Sequence, residues 1–200
     1  MKMATDRPHA RCGFTLIELL VVITVIGLLA SILMPALSSA RRSAIRVACA
    51  TNLRQIGVAF TSYLMASRDK LPRASQLPSF SPFPIDSDEP IYIADVLRKY
   101  IRGETKVFQC PNDHSGAGRP APNAGLSYFE SEKSSYGYRW QLGGRTIAEV
   151  LNRFRNRLGS AVAENSIYVM SDYDNFHGKA GKPGARRYLY MDGHVTDFEN

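Results

Sequence analysis

Glu18 is the side chain that most constrains what this chain can do. It is the only charge in Phe14–Met34, a run of 21 residues reading F-T-L-I-E-L-L-V-V-I-T-V-I-G-L-L-A-S-I-L-M. A carboxylate there costs roughly a few kcal/mol near mid-bilayer and less near an end, so Glu18 needs a partner. A second set of reactive side chains is Cys12, Cys49 and Cys110. None stands in a C-x-x-C pair, so a zinc finger or a redox-active dithiol motif is not indicated. The third set is Asp172, Asp174, His177, Asp192 and His194, the one acid-and-imidazole cluster in the chain. A Ca²⁺ site needs several oxygen ligands, and Asp172, Asp174, His177 and Asp192 are the candidates for one. The competing reading keeps each residue local, with Asp192 in a turn, Asp172 at a strand end and His177 in a nearby hydrogen bond. Hydrolysis by His177 and an aspartate would require a nucleophile motif or phosphate loop, and the sequence has neither. The chain is therefore expected not to be an enzyme and to need no cofactor, with Ca²⁺ as the candidate metal ion.

The elements that must hold these residues follow from periodicity. As a helix, Phe14–Met34 is about 31 Å long, the thickness of a bilayer core. A secretory signal has an apolar region of about 7–15 residues, and this one is longer and contains a carboxylate. Pro35 follows and is expected to kink the helix without stopping it. Beyond it Ile45, Cys49, Leu53, Ile56, Phe60 and Leu64 recur every three or four residues, one face of a continuing helix to about Met65. Leu71–Pro90 is rich in Pro and Ser and reads as a loop. Ile91–Ile101 reads as a short helix stopped by Gly103, and Val107–Cys110 as a short strand. Asn112–Leu126 reads as a loop, and Ser134–Leu142 as a second strand. Thr146–Leu158 is expected to be a helix with Ile147, Val150, Leu151 and Phe154 inward, and Ile167–Met170 a buried strand. Asp192-Gly193 between Tyr188–Met191 and His194–Phe198 is a hairpin signal.

Gly13, Phe14 and Glu18, in that order before an apolar run, resemble the type IV prepilin signal of pilins and type II secretion pseudopilins. The resemblance implies cleavage after Gly13 by a prepilin peptidase, which also methylates the new N-terminal Phe14. It implies that Pro35 sits where many members carry a helix-kinking proline. The ammonium left at Phe14 would lie one helical turn from Glu18 and could pair with it, within the chain or across a stagger to a neighbour. The implied partners are the peptidase/methyltransferase, other pilin-like subunits, a secretion platform with its assembly ATPase, and inner-membrane lipid. The implied location is the inner membrane, single-pass, with the leader cytoplasmic and the C-terminal domain periplasmic. Counting Lys and Arg alone points the other way, because Arg41, Arg42, Arg46 and Arg54 outnumber the leader's Lys2, Arg7 and Arg11. The resemblance takes precedence for orientation.

The later sequence is similar to one branch of these proteins. The segments that carry this are Cys49-Ala-Thr-Asn-Leu-Arg-Gln-Ile-Gly57, Phe108-Gln-Cys-Pro111, Ser135-Tyr-Gly-Tyr138, and a His followed by Asp-Gly. Branch members have nine residues between that His and Asp-Gly, whereas here fourteen separate His177 from Asp192-Gly193. In the oxidising compartment so implied, Cys49 and Cys110 form a disulfide or remain two buried thiols, and both readings stay open.

The expected fold is α+β and pilin-like: a long kinked N-terminal helix packed on a small antiparallel sheet. The expected domains are a leader at 1–13, a transmembrane and assembly helix at 14–34, the distal helix at 35–66 and a globular domain at 67–200. The formal charge is +7 and is densest at Arg41–Arg54. A basic segment just past a membrane span meets headgroups or neighbouring subunits, so no nucleic-acid partner is expected. The expected function is a structural subunit of a type II secretion or type IV pilus-like system. The alternative is a membrane-anchored envelope module binding carbohydrate or another surface ligand, with Tyr128, Phe129, Tyr136, Tyr138 and Trp140 as candidate contacts.

Overall fold

The computed structural model describes residues 15–75, 91–114, 124–179 and 181–197. They form an α+β fold of pilin-like type: one long N-terminal helix and a small antiparallel sheet. The chain divides into two compact units, Met1–Arg42 and Ser43–Asn200. The long helix α1, Leu16–Ala66, contributes to both, and Pro35 lies inside it without ending it. Proline removes one backbone donor there, while Ser31 and Ser38 add side-chain bonds to the carbonyls of Leu28 and Pro35 at 2.8 and 2.9 Å.

In the first unit every large apolar side chain from Leu16 to Leu37 is exposed, and α1 is long and apolar enough to cross a membrane. In the second unit α1 becomes one-sided. Cys49, Leu53, Ile56, Phe60 and Leu64 are buried, Ile45 packs against them, and Val47, Val58 and Met65 are exposed.

The sheet has strand order β1 (Tyr136–Tyr138), β2 (Tyr168–Asp172), β3 (Arg187–Tyr190), β4 (Val195–Asp197), each antiparallel to the next. Tyr136 faces Asp172, Met170 faces Leu189, and Leu189 faces Val195. Tyr136, Tyr138, Val169, Met170 and Leu189 enter the same core as the buried face of α1. The β3–β4 hairpin closes through Met191-Asp192-Gly193, with Gly193 at φ +89° and Tyr190 N–H donating to His194 O at 2.9 Å. This is the three-residue loop in which glycine takes the left-handed position.

The short helices are α2 (Ile93–Leu97), α3 (Tyr128–Glu132) and α4 (Ile147–Leu158). Helix α2 tightens into a 3₁₀ turn over Arg98–Ile101, and left-handed Arg102 ends it before Gly103. Val107–Cys110 is not a strand: Lys106–Phe108 is a 3₁₀ turn. A short apolar run fixes burial but not period, and Phe108 N–H is satisfied by Thr105 O rather than by a neighbouring strand. Helix α3 falls inside a stretch that periodicity leaves unassigned. Its signal is the capping box Ser127-x-x-Glu130, in which each side chain bonds the other's backbone.

Candidate functional site

Two sites carry the sequence candidates. At the start of α1, Gly13 and Phe14 lie outside the described residues. Thr15 opens the helix and locks onto Glu18. The Thr15 N–H and hydroxyl both donate to Glu18 Oε2, at 2.8 and 2.7 Å, and Glu18 N–H donates back to Thr15 Oγ1 at 3.3 Å. This is the capping-box geometry, and it sets the carboxylate at the positive end of the helix dipole. Thr15 is the residue that the sequence reading missed, although Thr-Leu-Ile-Glu has the spacing of a cap.

The second site lies in the core of the 43–200 unit. Cys49 on α1 and Cys110 after the 3₁₀ turn are joined as a disulfide, with Cα atoms 5.4 Å apart. Their burial is complete. His177 stands against the bond, its Nε2 3.7 Å from Cys110 Sγ and 3.6 Å from Asp172 Oδ2. The side chains of His177 and Asp172 are 1% and 0% exposed. One donor atom from each of Cys49, Cys110 and His177 falls within 4.8 Å of the others, with the two sulfurs bonded to each other.

Burial sets the protonation of this pair. It pushes the Asp172 carboxyl up to about 7, against the pull of the Arg187 N–H and guanidinium. It pushes His177 down to about 4, and the Arg187 and Arg46 cations add to that. Arg187 N–H donates to Asp172 Oδ2 at 2.8 Å, while Oδ1 has no hydrogen-bond partner among the described residues. Arg46 Nη2 donates to the His177 carbonyl at 2.7 Å, tying the loop to α1.

Segments 49–57, 108–111 and 135–138 meet around this bond. Asn52 Nδ2 donates to Gln109 O at 2.9 Å, one turn along α1 from Cys49. Ser135 accepts from Cys110 N–H at 2.9 Å through its hydroxyl oxygen and donates its N–H to Phe108 O at 2.8 Å. Gly57 lets the β3–β4 turn approach: a Cβ there would lie 2.9 Å from Leu189 Cδ1 and 3.4 Å from Gly193 O. Asp113, not singled out from sequence, organises the neighbourhood. Its carboxylate accepts from Tyr128 and Phe129 N–H at 3.1 and 2.8 Å and from the Ser135 hydroxyl at 2.6 Å.

Of the four Ca²⁺ candidates only Asp172 and His177 meet. Asp174 lies 3.9 Å from Arg186 on the surface, and Asp192 bonds His194 Nδ1 at 2.6 Å in the hairpin turn. Of the aromatics considered for ligand contact, Tyr136 and Tyr138 are fully buried, and Trp140 is exposed. Tyr128 and Phe129 are part-buried, as are Tyr168 and Tyr188, which meet edge to face at 5.2 Å with Arg139 over Tyr168.

Residues 8–34 match the model of the prokaryotic N-terminal methylation motif. The match covers Gly13, Phe14, Thr15 and Glu18 and ends where Pro35 begins. No curated protein and no solved structure matches the chain.

Proposed function

We propose that this chain is a pilin-like structural subunit rather than an enzyme. Prepilin peptidase cuts it after Gly13 and methylates Phe14, and α1 then anchors it in the inner membrane and assembles with other pilin-like subunits. The C-terminal unit lies on the periplasmic side, and a secretion platform with its assembly ATPase drives assembly in a type II secretion or type IV pilus-like system. One coincidence carries the reading: the methylation motif at 8–34 overlies a helix whose apolar surface is exposed all round and whose first turn holds Glu18. Such a surface needs lipid or like helices as its solvent.

Intact-mass measurement on membrane-extracted protein tests the reading. The expected mass is that of a chain beginning at Phe14 with one added methyl group. A chain beginning at Met1, or at Arg41 after a signal-peptidase cut behind the small residues Ser38-Ser39-Ala40, overturns it. Gly13→Leu should leave the precursor uncut in the membrane.

A further inference from the structure

The disulfide explains why Cys49 and Cys110 are together, but not why His177 and Asp172 are buried against it. A structural cystine requires no imidazole beside one sulfur and no carboxylate beyond it. Removing both groups from water is costly unless each finds a partner. Here their mutual distance of 3.6 Å is too long for a hydrogen bond, and Asp172 Oδ1 has no partner among the described residues. The same His177 nitrogen faces both Cys110 Sγ and Asp172 Oδ2. Two sulfurs, one imidazole nitrogen and a nearby carboxylate make a donor set suited to a thiophilic divalent ion in tetrahedral geometry.

We propose that Cys49, Cys110 and His177, with Asp172 beside them, form a redox-gated site for Zn²⁺ or a similar thiophilic cation, filled in the dithiol form and closed by the disulfide. Opening it takes two electrons. A dithiol reductant supplies them by exchange: the S–S bond breaks, its sulfurs gain two protons, and the reductant leaves as its own disulfide. Metal entry then breaks two S–H bonds, releases two protons to solvent and forms two metal–sulfur bonds. His177 donates through Nε2; the Asp172 carboxylate lies 3.6 Å from that nitrogen and must shift to reach the fourth position, which water otherwise fills. Arg46 holds the His177 carbonyl and Arg187 N–H holds Asp172 Oδ2, so filling the site takes the parting of the sulfurs and a shift of the Asp172 carboxylate toward them.

The test uses the full chain in detergent micelles. A phosphine reductant opens the bond, taking one water oxygen to become the phosphine oxide as it gives up two electrons, and is then removed without air. Co²⁺ added to this reduced protein should give the visible bands of tetrahedral cobalt and a thiolate-to-metal charge-transfer band, both bleached by Zn²⁺. The oxidised protein should give neither. His177→Gln should weaken Zn²⁺ binding by tenfold or more, and Asp172→Asn by roughly tenfold, near the low end for groups around a metal. Zinc should also shield both thiols of the reduced wild type from alkylation, a readout that needs no variant to fold. Octahedral cobalt without a sulfur band, or thiols alkylated equally fast with and without zinc, overturns the proposal. So does a folded His177→Gln protein with wild-type affinity.

Discussion

On the proposed reading Glu18 has two roles that substitution can separate. Its carboxylate caps α1 through Thr15, and its charge is available to an ammonium. Gln at a capping-box position still accepts from the backbone, so Glu18→Gln should keep the helix start and membrane insertion while removing the charge. We expect the Gln variant to be cleaved normally and to fail in filament incorporation; normal incorporation, scored in sheared surface fractions, would rule out the charge pair. In the core, Asp172 and His177 titrate in opposite senses. With a folded value of about 7 against 3.8, Asp172 keeps a proton that the unfolded chain has lost, so its stabilising effect fades as pH climbs from about 4 to 7. His177, folded at about 4 against 6.5, does the reverse, its contribution growing from pH 4 to 6.5. The slopes oppose each other in the disulfide form. Wild type should therefore show a nearly flat urea midpoint from pH 4 to 6.5 in the presence of chelator. His177→Gln should lose stability as pH rises through that window, and Asp172→Asn should gain it. Sequence marked both residues but grouped them with Asp174 and Asp192. Their true neighbours, Cys110 and Cys49, are 67 and 128 positions from His177, and no local pattern encodes such a meeting.

At the scale of elements, what repeats or caps was legible and what depends on long-range partners was not. The face Ile45 to Leu64 on α1, helix α4 and the Asp-Gly hairpin follow from 3.6-residue spacing, a Thr146–Glu149 cap and turn chemistry. The run 107–110 misled because its backbone bonds come from its own turn and from Ser135, which lies 25 positions beyond Cys110. Asp113 holds the start of α3 and the entry to β1 together, so Asp113→Ala leaves three donors without their acceptor. We expect a loss of about 3 kcal/mol in denaturant titration, set by donors left unsatisfied rather than by lost charge. Thr146→Ala removes only an exposed cap on α4 and should cost about 1 kcal/mol. Gly57→Val places carbon against fully buried Leu189 and the Gly193 carbonyl, so overpacking of about 1–3 kcal/mol should outweigh the helix propensity gained.

For the whole molecule, the two units ask for different solvents. Residues 16–37 expose apolar side chains all round, while residues from 43 onward close over one core. The core carries its own staple, because the Cys49–Cys110 bond spans 61 positions of sequence. A closed loop of that size should stabilise the fold by about 4 kcal/mol in the chain-entropy view, and reduction should lower the denaturation midpoint accordingly. The same bond decides where tension travels. When a chain is pulled from its two ends, load follows the shortest covalent route, which here leaves α1 at Cys49 and rejoins the backbone at Cys110. Everything between, from the distal half of α1 through α2, is bypassed while the cystine is intact. A subunit gripped through its N-terminal helix and dragged at its C-terminus would therefore keep that middle third slack. In single-molecule stretching, reduction should lengthen the fully extended chain by about 200 Å, the hidden length that the bond withholds from force.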